Sequence, residues 1–453
     1  MTLGGQYNGA MADVRPFRGI HFDRGVVGDL GAVLAPPYDV IDAAGERSLL
    51  DRHPNNVVRI ELTTVSVGGG PAGRYVEAAA TLAEWRSTGI LVHDDAPVFY
   101  LHEANFALGS ESRTRRELFA AVRLEPWDRG VVLPHEHTFD RPKVDRLRLL
   151  EATETNLSPV LSFFRREPAD DDAVESAWRW ADSAATIGEG TDAEGVRHRL
   201  WALPAGGLAS ALTAFFADRP LFIADGHHRY ETALGYLDAK LERAGGDLAE
   251  DDPARFVLMS LIAEDDRGLA ILPLHRLLRH VPNVEHASLL GRLRTDFQLD
   301  AEEQPGPISP ANVSRLLAEH GRDGQALYLY APRAGVNVLL RRSSAAPLPA
   351  AIPPDRDESW RRLDVVLADA AIVRPILASH GADPEDALEY ARDAADAIGR
   401  VDAGEFDLAL LVNPTRVDQI AAVALAGERM PEKSTYFYPK APTGLVFRSV
   451  SES

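Results

Sequence analysis

The feature that most constrains the fold of this chain is residues 221–241, where an apolar run stops at Asp225-Gly226 and helical spacing begins directly afterwards. This pattern predicts a buried strand over 221–224, a tight turn at Gly226, and a helix that ends at Gly245-Gly246. Unpaired backbone N–H groups and the positive end of the helix dipole then point at whatever lies before the turn. His228 and Arg229 add side-chain donors. The sequence therefore predicts an anion site, suited to phosphate groups, at the start of this helix.

The charge of the chain restricts its partners. Its 453 residues include 48 Lys and Arg against 68 Asp and Glu, so the net charge is -20. Nucleic acid and anionic membranes are poor partners for so acidic a chain, and an anionic ligand must be held by donors gathered in one pocket. The sequence contains no cysteine, which excludes disulfides, thiol catalysis and cysteine metal sites. No secretory signal and no apolar run of ~20 residues is visible, so a cytoplasmic protein is expected.

Strands alternate with helices along the chain, which predicts a mixed α/β fold, either α/β or α+β. Breaks near residues 126 and 251 suggest an N-terminal α/β segment (1–125), a phosphate-binding core (126–250) and a C-terminal α/β segment that completes the site (251–453). Two tryptophans of the middle segment are interpreted as packing residues, and three arginines of the first as a solvated hairpin tip (Trp178 and Trp180; Arg113, Arg115 and Arg116).

A second polar group follows a short apolar strand at 131–133. His135 and His137 share one face if the strand continues, and Glu136 then points the other way. In one interpretation Glu136 is a general base that takes a proton from a substrate hydroxyl. In another, the two histidines are metal ligands. In a third, the segment is a plain loop with a surface glutamate.

Two proline-bounded loops carry further candidates. Residues 433–444 hold two lysines and several hydroxyl groups, which is typical of a lid over a polyanion; the candidates are Lys433, Ser434, Thr435 and Lys440. The alternative is an aromatic edge strand with solvated lysines. At residues 36–39 the backbone is rigid, and it presents either Tyr38 and Asp39 to a ligand or an ordinary turn.

These motifs resemble known families. Asp225-Gly226-His227-His228-Arg229 is similar to the phosphate-binding box of the ParB/sulfiredoxin superfamily, and above all to its free-serine kinases, whose upstream Pro-His-Glu segment is matched by residues 134–136. Nearly the whole chain resembles the bacterial and archaeal family called domain of unknown function 1015. That resemblance rests on the turn and on five further motifs (Pro36-Pro37-Tyr38-Asp39-Val40-Ile41, His135-Glu136, Lys143-x-Asp145-Arg146-Leu147, Asn156-x-Ser158-Pro159 and residues 433–440).

The resemblance to the ParB/sulfiredoxin superfamily implies a core of that type. It also implies a kinase that phosphorylates a small hydroxyl compound such as free serine, with ATP or ADP as donor and Mg²⁺ as cofactor. Glu136 would deprotonate the acceptor, and Asp225 would hold Mg²⁺ through water or steer the hydroxyl. The remaining implied site residues hold phosphates, shape the turn or close the site (Gly226, His227, His228, Arg229 and Lys440; Tyr38, Asp39, His135, Lys433, Ser434 and Thr435).

Two other functions stay open. The first is a non-catalytic nucleotide-binding module, which would change its contacts with a protein partner when nucleotide binds. The second is a metal-dependent hydrolase that uses histidines of the two motifs (His135, His137, His227 and His228).

Overall fold

The computed structural model describes residues 12–62, 70–138, 140–166, 173–281, 286–301 and 309–452. The strands of these ranges are β1 Val14–Arg15, β2 Ile20–Phe22, β3 Leu91–His93, β4 Phe99–Leu108, β5 Glu111–Arg123, β6 Val132–Leu133, β7 Thr155–Asn156, β8 Val160–Phe164, β9 Gly188–Thr191, β10 Arg197–Leu203, β11 Leu221–Asp225, β12 Phe256–Ala263, β13 Ala270–Leu272, β14 His275–Leu278, β15 Gln298–Ala301, β16 Gly324–Ala331, β17 Val336–Ser343, β18 Leu388–Ala391, β19 Leu408–Val412, β20 Tyr436–Tyr438 and β21 Arg448–Ser449.

The helices are α1 Arg24–Val27, α2 Leu30–Val33, α3 Ala43–Arg52, α4 Val58–Glu61, α5 Gly70–Ser87, α6 Asp140–Thr153, α7 Ala173–Ala181, α8 Gly207–Phe216, α9 His227–Arg243, α10 His286–Asp296, α11 Pro310–His320, α12 Glu358–Arg361, α13 Asp364–Ala368, α14 Arg374–His380, α15 Pro384–Ala387, α16 Ala394–Asp402 and α17 Val417–Leu425. The prediction of a mixed α/β fold is confirmed. In the part of the chain that the structure describes, no helix is long and apolar enough to cross a membrane.

The chain forms two compact units. The first is built from residues 1–134, 138–270 and 439–453, and the second from residues 135–137 and 271–438. The final fifteen or so residues of the chain therefore belong to the first unit, although they lie far from the rest of it in sequence.

The first unit is organised around a nine-stranded sheet in the order β6-β11-β8-β12-β5-β4-β10-β9, with β1 also paired to β5. β6 and β11 are parallel, as are β8 and β12, and the other pairs are antiparallel. β12 lies between β5 and β8, so strands from all three predicted segments share one sheet. Alternate residues of β5 pack into different hydrophobic clusters: Leu118 and Ala120 into one, Phe119 and Ala121 into the other. Both faces of the sheet are therefore covered.

The predicted strand, turn and helix at 221–243 are confirmed. Leu221, Phe222 and Ile223 are fully buried because β11 lies inside the sheet, between β6 and β8. The helix α9 starts at His227 and buries one face against the sheet through Tyr230, Ala233, Tyr236 and Leu237. It ends where Gly245 and Gly246 adopt positive φ.

The second unit contains a six-stranded sheet in the order β15-β17-β16-β19-β14-β18, in which every pair is antiparallel. The helices α11 and α16 pack their apolar residues onto it, around Leu317, Tyr328 and Ile398. The short strands β13 and β20 form a separate pair.

One interpretation of the sequence is wrong. Arg115 does not lie at a solvated hairpin tip: the tip is at Gly109, and the Arg115 side chain is 1% exposed. The reason is that β5 continues to pair with β4 beyond the polar run, and the guanidinium is compensated by Glu117, which lies on the same face of the strand. Trp178, by contrast, is a packing residue of the core as expected.

Candidate active site

The turn after β11 has the geometry of an anion site. Gly226 has φ of 95° and ψ of 27°, a left-handed conformation that suits glycine. As the N-cap of α9 it has no side chain with which to cap the first helical turn. A Cβ at this position would lie 2.9 Å from Nε and Nη2 of Arg229. The Arg229 guanidinium therefore folds back over the glycine.

Two cations converge on the carboxylate of Asp225. Arg229 Nη2 lies 2.9 Å from Oδ2, and Lys440 Nζ lies 2.5 Å from Oδ1. Arg229 also donates to the Pro159 carbonyl. Although burial alone would raise the pKa of Asp225, Lys440 and Arg229 lower it to about 2. The cluster thus carries one more positive than negative charge, and its three side chains are only 12–19% exposed.

A second lysine flanks the same turn. Lys143 Nζ lies 3.0 Å from Oε2 of Glu231, which also accepts a hydrogen bond from Thr138. The half-buried His228 lies within electrostatic reach of both Glu231 and Lys143. Burial lowers the pKa of His228, so its ring is neutral near pH 7 and acts as a hydrogen-bonding group rather than as a cation.

The rigid loop at residues 36–39 lies beside this turn. The Tyr38 ring is stacked under the Arg146 guanidinium, with 4.0 Å between Cζ and the ring centroid. Burial raises the pKa of Tyr38, while Arg146 and, more weakly, Arg229 act to lower it. Asp39 is exposed and is among the charges that act on His228. The structure therefore brings these two candidates close to the predicted phosphate turn.

A cavity of about 50 Å³ opens next to Arg229. One wall is formed by the buried ion pair of Arg146 and Glu61, whose Nη1 and Oε1 are 2.9 Å apart. Thr232, 5% exposed, also lines it, and its Oγ1 has no hydrogen-bond partner among the residues that the structure describes. The sequence alone assigns no role to Arg146 or Glu61. The Lys143-x-Asp145-Arg146-Leu147 motif contains Arg146, but no sequence pattern singles out Glu61.

The other predicted site residues belong to the second unit. His135 Nε2 lies 3.1 Å from Thr435 Oγ1, which brings the Pro-His-Glu segment and the 433–440 loop together. Ser434 is buried, and its hydroxyl donates to the Pro431 carbonyl. Lys433 is exposed and Glu136 is half-buried. Ser434 and Thr435 are thus tied into the fold of this unit.

The structure gives no support to the metal-ligand interpretation of the histidines. Across the described ranges, no group of three or more His, Asp or Glu side chains is arranged to hold a metal ion. His227 is buried at the start of α9, and its role in the turn stays a prediction.

Comparison with known proteins identifies the family. A family model described as "Protein of unknown function (DUF1015)" matches residues 14–366, which is more than half of the chain. The chain belongs to this family. The resemblance to DUF1015 expected from the motifs is therefore confirmed, whereas the ParB/sulfiredoxin-like core stays a prediction. No curated protein matches the chain.

Several solved structures are distantly similar. A conserved hypothetical protein from Pyrococcus furiosus is 13% identical, with a TM-score of 0.33, and the match covers 73% of this chain and 95% of that one. A free serine kinase in complex with AMP is 12% identical, with a TM-score of 0.33 and coverage of 73% and 91%. SbnI from Staphylococcus aureus, with a C-terminal truncation, is 10% identical, with a TM-score of 0.30 and coverage of 71% and 84%. At these scores the matches carry no argument about the activity of this chain.

Proposed function

We propose that this protein is a nucleotide-dependent phosphotransferase that phosphorylates a small hydroxyl compound such as free serine. The observation that carries the proposal is the turn between β11 and α9. There a left-handed glycine, an uncapped helix start and two largely buried cations, Arg229 and Lys440, surround Asp225.

The electrostatics of this turn favour a phosphate group. The helix start contributes roughly +0.5 of an elementary charge, and the Asp225 cluster adds a net charge of one. Because Arg229 and Lys440 are 12% and 14% exposed, their attraction for an anion is screened less than that of a surface cation. In a chain with a net charge of -20, a local positive site of this kind favours the binding of an anion at this place in particular.

In the proposed reaction, the N–H groups after Gly226 hold oxygens of the donor phosphates, with His227 shaping the turn and the neutral His228 donating a hydrogen bond. Arg229 and Lys440 stabilise the charge that develops on the transferred group. The Asp225 carboxylate, ionised at any physiological pH, is a suitable partner for Mg²⁺ through water. When bound, Mg²⁺ would neutralise phosphate charge on ATP or ADP.

The acceptor side of the proposal rests on the other candidates. The acceptor hydroxyl attacks the terminal phosphorus, the bond from that phosphorus to the nucleotide oxygen breaks, and the hydroxyl proton passes to Glu136. Tyr38 and Asp39 would contact the substrate from the rigid loop, and His135, Lys433, Ser434 and Thr435 keep the substrate or lid role that the motifs predict for them. The acidic chain suits small-molecule partners in the cytoplasm rather than nucleic acid.

The test is an acceptor screen followed by ³¹P NMR. The protein is incubated with ATP or ADP, Mg²⁺ and a panel of hydroxy amino acids and small alcohols. We expect a new phosphomonoester signal with one class of acceptor. Glu136→Gln should abolish its formation and leave nucleotide affinity unchanged, whereas Glu432→Gln, at an exposed glutamate of the same unit, should have no effect.

Two other outcomes have definite meanings. Tight nucleotide binding with slow hydrolysis and no phosphorylated acceptor would favour the non-catalytic nucleotide-binding module. Unchanged turnover of Glu136→Gln would remove Glu136 from the role of base.

A further inference from the structure

We propose that Arg115 is a positioning residue for Lys440. It holds the carbonyl of Pro439 and so fixes the backbone directly before the lysine whose ammonium reaches Asp225. The consequence for nucleotide binding rests on the function proposed above, but the positioning itself does not.

Arg115 makes this contact from a fully buried place in β5. Its side chain is 1% exposed, and its Nη1 donates to the Pro439 oxygen, 324 residues away in the chain. The pyrrolidine ring restricts φ of Pro439, so a fixed carbonyl leaves the backbone little freedom before Lys440. A lysine side chain is long and flexible. When the backbone that carries it is already ordered, less entropy is lost as its ammonium is held at Asp225.

Arg115 is itself held by Glu117. Its Nε lies 2.6 Å from Oε1 of Glu117, and the other carboxylate oxygen lies 2.9 Å from Nδ1 of His102. Burial acts to raise the pKa of Glu117, but Arg115 and His102 outweigh it and lower the pKa to about 2. Glu117 is therefore ionised, and the guanidinium is tied to a charge that cannot leave the interior.

The chain of contacts continues across the sheet. His102 Nε2 lies 2.9 Å from His198 Nδ1, and His198 Nε2 lies 2.9 Å from Oδ2 of Asp192. Asp192 also accepts hydrogen bonds from two backbone N–H groups. The two histidines thus join the carboxylates of Glu117 and Asp192 into one chain of contacts.

This network links adjacent strands through Glu117 on β5, His102 on β4 and His198 on β10. His102 and Glu117 are direct cross-strand partners. Arg115 is thus anchored in the sheet of the first unit, and its hydrogen bond to the Pro439 carbonyl restrains the backbone next to Lys440.

The variants are chosen to remove the donor without leaving a buried charge. Arg115→Gln alone leaves the Glu117 carboxylate buried without its guanidinium partner and risks misfolding, so Arg115→Gln/Glu117→Gln removes both charges of the pair together. The matched control is Arg113→Gln/Glu111→Gln, an exposed pair on the same strand whose Nη2 and Oε2 are 2.9 Å apart.

The first readout is independent of nucleotide. The chain has only four lysines, at 143, 240, 433 and 440, so NMR of the side-chain ammonium groups gives at most four signals. The Lys440 signal is assigned with Lys440→Met. We expect it to move towards the position of a solvated lysine in the Arg115/Glu117 variant and to stay unchanged in the control. An unmoved signal in the folded variant overturns the proposal.

The second readout is ADP affinity. We expect Lys440→Met to weaken binding about ten- to hundredfold, the loss of a charge-assisted contact, and the Arg115/Glu117 variant to weaken it by no more than that. If Arg115 acts through Lys440, the combined variant binds no more weakly than Lys440→Met alone. Losses that multiply would show that Arg115 has a separate role. If the wild type binds neither ATP nor ADP, the proposed function fails while the ammonium signal still decides the positioning.

Discussion

Gly226→Ala tests the geometry of the turn, because two separate features of the structure require a glycine at this position. Its φ of 95° is strained for any residue with a Cβ, and the new methyl group would lie 2.9 Å from Nε and Nη2 of Arg229. Arg229 can swing away, but only by giving up its bonds to Asp225 and to the Pro159 carbonyl.

The expected cost follows from these two effects. The left-handed backbone costs an alanine about 1–2 kcal/mol. Displacing Arg229 from the Asp225 carboxylate adds about 1.5–3 kcal/mol, the worth of a hydrogen bond between charged groups. The free energy of unfolding of Gly226→Ala should therefore fall by about 2.5–5 kcal/mol.

A second glycine separates the two effects. Gly130 also belongs to the first unit and has φ of 68°, but a Cβ there would meet nothing within 4 Å. Gly130→Ala should therefore show the backbone cost alone. Urea unfolding followed by tryptophan fluorescence suits the comparison, because five of the six tryptophans lie in the first unit and only Trp360 in the second. Equal losses in the two variants would refute the claim that Arg229 is locked over Gly226.

Three further predictions concern buried charges of the first unit. The pKa of Asp225 is about 2 in the folded protein against an ordinary 3.8, so its contribution of about 2 kcal/mol is complete above pH 3.8 and is lost as pH falls towards 2; urea unfolding of Asp225→Asn should vary less with pH in that window. Burial raises the pKa of Asp266 to about 6, so stability falls as pH rises from 3.8 through 6, and Asp266→Asn should be more stable than wild type by about 3 kcal/mol at pH 7 but not below pH 3.8. Arg146→Gln should cost about 3–5 kcal/mol by leaving Glu61 buried and unpaired, and adding Glu61→Gln should restore part of that loss in thermal unfolding.

The parts of the fold that could be predicted from the sequence are those set by neighbouring residues. The turn at Gly226 follows from an apolar run, a glycine and helical spacing that stand next to one another, so local rules suffice. The mixed α/β class follows from the alternation of strands and helices. Tyr38 and Asp39 were candidates because proline makes their loop rigid, and the structure places that loop beside the turn.

The contacts that complete the site could not be predicted from local patterns, because they join distant parts of the chain. The resemblance names Lys440 as a site residue, but its contact with Asp225, 215 residues away, forms only in the folded first unit. The polar run around Arg115 resembles an exposed hairpin in sequence. Its burial depends on the register of β4 against β5, which places His102 opposite Glu117. No local pattern contains that register. The role of Glu136 as base stays a prediction.

The central claim is that the turn after β11 binds the phosphates of a nucleotide, and calorimetric titration tests it most directly. ATP and ADP, each with Mg²⁺, are titrated into wild type, Lys440→Met and Lys240→Met. Both lysines are paired with an aspartate, but Lys240 lies near the opposite end of α9, 2.8 Å from Asp252. We expect one nucleotide per wild-type chain, affinity about ten- to hundredfold weaker in Lys440→Met, and unchanged affinity in Lys240→Met. A wild type that binds neither nucleotide, or equal affinity in all three proteins, would contradict the claim.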